Sequence, residues 1–105
     1  MIISNYMAGE ILVFSIEEPL GLQGKLDPVL ELIGKSIAKG EKKIALQFTA
    51  DSFLYSSAIR ILVQCIEIVR EASGVFGLVE PNADILDAIY MLSLDTQIRI
   101  LRRTA

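Results

Sequence analysis

Short apolar runs alternate along this chain with segments in which apolar residues recur every three or four positions. The runs at residues 11–16, 43–48 and 75–79 are rich in β-branched and aromatic side chains, which is typical of buried strands. The segments between them have the spacing of helices that bury one face. Because alternating strands and helices are joined by right-handed crossovers, this pattern predicts an α/β fold with a mostly parallel sheet.

Turn and cap residues set the predicted boundaries. Residues 2–7 and 11–16 predict an antiparallel hairpin at one edge of the sheet, and Asp27-Pro28 predicts a helix with Asp27 as its N-cap. Gly40 is expected to end that helix. The remaining predicted elements are a strand at 43–48, a helix from 56 or 57 to about 72, a strand at 75–79, a helix capped by Asn82 and a strand at 98–101. The order β-β-α-β-α-β-α-β, with helices packed on a mixed sheet, is expected to form one domain over residues 1–105.

Charge and composition exclude several classes of protein. The chain has 105 residues with 10 Lys and Arg against 13 Asp and Glu, so it lacks the basic excess expected of a nucleic-acid-binding protein. No apolar run is long enough to span a membrane, and the first residues do not resemble a signal peptide, so a cytoplasmic location is expected. The hydrophobic fraction of 52% predicts a sheet covered on both faces, or apolar surface left for a partner.

The residues needed for common catalytic sites are scarce. The chain has no His and one Cys, which excludes a Ser-His-Asp triad and a thiolate metal site within one chain. No glycine-rich phosphate loop opens a helix. We therefore expect no enzyme activity, no cofactor and no metal, and we expect Cys65 to lie in the core.

One local sequence favours a regulatory role. Residues 49–57 read Thr-Ala-Asp-Ser-Phe-Leu-Tyr-Ser-Ser and lead directly into an apolar helix. A hydroxyl at a helix start commonly caps a free backbone N–H. The alternative is phosphorylation, because the helix dipole and the free N–H groups accommodate a phosphate there.

The stretch from residue 43 to residue 101 resembles a STAS domain, the fold of bacterial anti-sigma factor antagonists. Residues 44–48 match the buried strand of that family, and residues 54–59 (Leu-Tyr-Ser-Ser-Ala-Ile) lie where its Asp-Ser-Ser-Gly or Asp-Ser-Ala-Gly signature stands. Residues 78–82 and 92–95 match the later strand, the helix start and the Leu-x-Leu-Asp corner. The resemblance covers more than half of the chain.

The resemblance implies a partner-switching protein that regulates transcription. Ser56 takes the place of the phosphorylated serine, with Ser57 as a helix cap or an alternative acceptor. The implied partner is an anti-sigma factor that is also a serine kinase and binds the unphosphorylated form. Tyr55, Ala58 and Ile59 are then the expected neighbours in the docking surface, and self-association into a homodimer is a further expected interaction.

Three departures from the family pattern keep other functions open. Tyr55 replaces the signature Asp, Ala58 replaces the Gly, and Gln47 replaces a frequent acidic residue of the strand. These changes favour a STAS scaffold or oligomerisation module that is not phosphorylated. A STAS subunit of a transport complex is another alternative.

Overall fold

The computed structural model describes residues 1–22 and 25–102, which form one five-stranded sheet and three helices. The predicted element order, β-β-α-β-α-β-α-β, is confirmed. The strands are β1 (Ile3–Ala8), β2 (Ile11–Ile16), β3 (Lys43–Gln47), β4 (Val75–Val79) and β5 (Arg99–Leu101). The helices are α1 (Asp27–Ala38), α2 (Ser56–Glu71) and α3 (Ala83–Met91).

The sheet is mixed and mostly parallel, as predicted. β1 pairs antiparallel with β2, and β2 to β5 run parallel in the order of the sequence. Gly9 opens the two-residue turn of the hairpin with φ 63°, a conformation that glycine adopts without steric cost. Because every parallel crossover steps in the same direction, right-handed connections place all three helices on one face of the sheet.

The main core lies between this face and the helices. Its fully buried members include Leu46 of β3, Ile33 of α1, Leu62 of α2 and Ile85 of α3. Burying one such side chain contributes about 1.5–3 kcal/mol to the free energy of unfolding.

The opposite face of the sheet carries no helix in the described part of the chain. At its centre Val13, Ala45 and Val79 are buried, with the partly buried Tyr6 and Leu101 among the side chains packed around them. The apolar composition predicted either a sheet covered on both faces or apolar surface left for a partner. In the described residues, helices cover only one face of the sheet.

The start of α1 differs from the prediction. Its N-cap is Leu26 rather than Asp27, and no side-chain hydrogen bond caps it, so the predicted Asp27 cap is wrong. The Leu26 side chain is fully buried and its carbonyl accepts the Val29 N–H at 2.9 Å. Core packing of Leu26 therefore fixes the first turn. The predicted end is confirmed, because Gly40 follows the last turn with φ 98°.

Cys65 lies in the core, as predicted, and is 0% exposed. Burial raises the pKa of its thiol to about 12, so almost no thiolate is present at neutral pH. We expect iodoacetamide to alkylate the native protein roughly a hundredfold or more slowly than the protein in guanidinium chloride, because reaction requires opening of the core. Mass spectrometry of timed samples measures both rates, and equal rates would contradict this burial.

Candidate functional site

Three connections meet at the carboxyl edge of the parallel strands. They are residues 17–22 after β2, residues 48–55 after β3 and residues 80–82 after β4. In open sheets of this kind the carboxyl edge is where functional residues gather, because loops from neighbouring strands converge there. The predicted site residues lie where the second of these connections runs into α2.

Ser52 ties the connection after β3 to the connection after β2. Its side chain is 2% exposed, and its Oγ accepts the backbone N–H of Leu20 at 2.9 Å. The Ser52 hydroxyl also shares a 2.7 Å hydrogen bond with the hydroxyl of Thr49. A backbone hydrogen bond from Phe53 N–H to the Leu20 carbonyl, at 2.8 Å, completes the link. The link holds the segment leading into α2 against a neighbouring connection.

Asn82 ties the same segment to α3. Its Oδ1 accepts the N–H of Ile85 at 2.8 Å, which confirms Asn82 as the N-cap of α3. Its Nδ2 donates to the carbonyls of Ala50 and Ser52, at 3.0 and 2.7 Å. One amide therefore satisfies a helix end and two loop carbonyls, groups that would otherwise need other partners.

Ser56 and Ser57 are the first two residues of α2, and both are exposed. The N-cap is Tyr55, whose side chain makes no capping hydrogen bond, so the predicted cap at Ser57 is wrong. The hydroxyl of Ser56 lies one position after the N-cap and that of Ser57 two positions after it, so both belong to the first turn of the helix. Backbone N–H groups at such a start have no acceptor within the helix, so this end combines accessible hydroxyls with donors suited to an anion.

The other three predicted site residues differ in accessibility. Tyr55 is 40% exposed, and its ring meets the ring of Phe53 edge to face at a centroid distance of 4.8 Å. Ile59 is partly buried against the core. Ala58 is 1% exposed, so its side chain packs in the core and the prediction that it contacts a partner is wrong. The reason is helical spacing, because Ala58 shares the inward face of α2 with Leu62.

The surroundings of the α2 start carry charges of both signs. A shallow depression between the β3–α2 connection and α3 is lined in part by Tyr55, Asp51 and Asp84, and both carboxylates are exposed. Arg60 is exposed one helical turn beyond Ser56. Side chains four residues apart are neighbours on a helix surface, so Arg60 is the cation placed to reach a group on Ser56.

Ser52, Asn82 and Tyr6 carry contacts that the sequence did not predict. The Tyr6 hydroxyl donates to Gln47 Oε1 at 2.6 Å, joining β1 to the end of β3 across β2. A serine between an aspartate and a phenylalanine gives no sign that it is buried. Of these three residues only Asn82 carries a usable sequence signal. Its position predicts the cap of α3 but not its two hydrogen bonds to the loop carbonyls.

In residues 1–22 and 25–102 no group of three His, Cys, Asp or Glu side chains is arranged to hold a metal ion. The helices in these ranges are too short or too polar to cross a membrane.

Comparison with solved structures identifies proteins of the same fold. A candidate anti-sigma factor antagonist of Thermotoga maritima, TM1081, superposes in its crystal structure with a TM-score of 0.79 at 18% identity, covering 97% of this chain and 86% of that chain. Its NMR structure gives 0.77 at 17% identity, over 97% of this chain and 82% of that one. The Bacillus cell fate determinant SpoIIAA in its phosphorylated form gives 0.67 at 14% identity, over 98% and 92%.

These similarities show that the chain has the STAS-like fold of anti-sigma factor antagonists, as predicted. No profile of a known protein family and no curated protein sequence matches the chain.

Proposed function

We propose that this protein is a regulatory binding module of the anti-sigma factor antagonist type, switched by phosphorylation of Ser56. The observation that carries the proposal is the position of Ser56, an exposed hydroxyl at the first turn of α2 in a fold shared with a protein known in a phosphorylated form. The proposed partner is an anti-sigma factor that is also a serine kinase, and the proposed setting is the bacterial cytoplasm. The module itself has no catalytic role in this proposal.

The geometry around Ser56 favours a phosphate that alters the surface without unfolding the domain. A phosphate adds about −1.5 to −2 charges at neutral pH. The free N–H groups and positive dipole end of α2 stabilise that charge, and Arg60 lies one turn away. Asp51 and Asp84 line the depression beside Tyr55, so their negative charges repel a phosphate on Ser56 and offset part of this stabilisation.

The proposed docking surface combines the switch with an aromatic anchor. Tyr55 offers an exposed ring beside Ser56, and Ile59 adds partly buried apolar area one turn further along α2. Aromatic side chains at the centre of an interface commonly carry much of the binding energy. The links through Ser52 and Asn82 hold this surface in place before a partner arrives, which lowers the entropy cost of binding.

Affinity capture from native cells tests the switch. Wild-type protein and Ser56→Ala are expected to retain an ATP-binding, kinase-like protein, whereas Ser56→Asp should lose it by roughly tenfold or more, because a new charge is placed in the interface. Ser57→Asp is the matched control, with the same charge one residue along the helix. Mass spectrometry of the captured proteins, and phosphate mapping after incubation with ATP and the retained protein, give the readout. Equal capture by all baits would contradict the proposal.

Tyr55 supports a second candidate, a constitutive interaction module without phosphorylation. In this chain an exposed tyrosine stands next to Ser56 where the family signature has an aspartate. The ring supplies docking area that needs no switch. For this candidate, Tyr55→Ala should abolish capture of the partner while all variants of Ser56 leave capture unchanged.

A further inference from the structure

Strand β1 forms one edge of the sheet and lacks the features that normally protect an edge. From Met1 to Gly9 the sequence has no charged side chain and no proline. The pairing with β2 is continuous from Ile3 to Ala8, so no bulge twists the edge away. In natural proteins an edge strand without charge, proline or bulge is a template for pairing with another strand.

The register shows which backbone groups of β1 face outward. Glu17 N–H donates to the Ile2 carbonyl at 2.9 Å, which makes residues 2 and 17 a hydrogen-bonded pair. Hydrogen-bonded and non-bonded pairs alternate along antiparallel strands, so Ser4, Tyr6 and Ala8 also bond to β2. The N–H and C=O groups of Ile3, Asn5 and Met7 therefore point away from the sheet.

We propose that β1 pairs antiparallel with β1 of a second copy of this chain, about a two-fold axis at Asn5. In that register the outward-facing residues oppose one another, Asn5 against its own copy and Ile3 against Met7, and each such pair exchanges two hydrogen bonds. The side chains that meet on the helix-bearing face are uncharged, and Met7 is 54% exposed in the single chain. An isologous contact of this kind is self-complementary and closes at the dimer.

A second copy fits this edge because its own β1 is equally free of charged side chains, so the register about Asn5 brings no like charges together. The product is a continuous ten-stranded sheet, two copies of the five-stranded one. A two-fold axis perpendicular to the sheet keeps all helices on one face and points the two carboxyl edges in opposite directions. Both copies of the Ser56 surface stay accessible, and the inference does not rest on the proposed function.

Sedimentation of the purified protein over a roughly hundredfold concentration range tests the proposal by mass action. Wild type is expected to reach twice the chain mass of 11.6 kDa. Asn5→Pro should remain at the mass of one chain, because it removes the outward N–H at the axis and leaves the β1–β2 hydrogen bonds intact. Asn5→Ala keeps that N–H and should dimerise like wild type. Circular dichroism and thermal unfolding check that each variant is folded.

A charge pair tests the register. Asn5→Lys and Asn5→Glu each place like charges opposite one another across the axis, so each variant alone should sediment as a monomer. An equal mixture should form a heterodimer, because opposite charges then face each other. A wild-type protein that stays monomeric would overturn the proposal. So would a dimer that persists in Asn5→Pro, or a mixture of the two charge variants that remains monomeric.

Discussion

Asn82→Asp is expected to lower the free energy of unfolding by about 1–2 kcal/mol, although it only replaces the side-chain NH₂ group by an oxygen. An aspartate oxygen can still accept the Ile85 N–H, so the cap of α3 survives. The two donated hydrogen bonds are lost, and a carboxylate oxygen then faces the carbonyls of Ala50 and Ser52. Leaving such acceptors unsatisfied costs about 1–3 kcal/mol each when they are buried, and the Ala50 contact is exposed.

Urea unfolding measures this loss, and amide hydrogen exchange locates it. Exchange in Asn82→Asp should accelerate in residues 50–55 and stay near wild type in α3, because only the link to the connection is broken. Asn82→Ala is the matched control, since it removes the cap as well and should also accelerate exchange at the start of α3. If Asn82→Asp and wild type unfold at the same urea concentration, the amide does not hold this connection.

Among the glycines that the structure describes, Gly74 is expected to be the one most destabilised by substitution with alanine, at about 2–4 kcal/mol. A Cβ built at Gly74 would lie 2.3 Å from the backbone oxygen of Lys42 and 3.0 Å from Cγ1 of Val69. The same Lys42 oxygen accepts the Val75 N–H at 2.8 Å, at the point where β4 joins β3. The methyl group therefore has to separate two strands or move the end of α2.

Gly34→Ala supplies the control with identical chemistry. Gly34 lies within α1, and a Cβ there would meet nothing within 4 Å. Alanine in a helix interior is more stable than glycine by about 0.5–1 kcal/mol. Thermal unfolding should thus show a melting temperature about 10–20 °C lower for Gly74→Ala and a few degrees higher for Gly34→Ala. Shifts of the same sign would refute the packing argument at Gly74.

Local patterns in the sequence were sufficient for the element order and most boundaries. The apolar runs that became β2, β3 and β4 and the helical stripes of α1 and α2 each report burial of one segment against the rest. The hairpin, the crossovers and the parallel pairing followed from these patterns, because connection rules leave few topologies for alternating strands and helices. The end of α1 and the cap of α3 followed from the conformational preferences of Gly40 and Asn82.

The site depended on contacts that sequence distance conceals. Ser52 meets Leu20 across 32 residues, and Asn82 reaches the Ser52 carbonyl across 30. Helix starts also depended on packing, since buried Leu26 displaced Asp27 as the N-cap of α1. In α2, Ala58 lies on the face that packs against the core, whereas Ser56 lies on the exposed face.

The sequence by itself determined which segments bury a face, because the spacing of apolar residues is a local property. Only the tertiary structure decided which polar groups meet at the carboxyl edge, because their partners come from segments brought together by the sheet. A buried hydroxyl or amide is identified by the groups that satisfy it, and those groups are known only once the chain has folded.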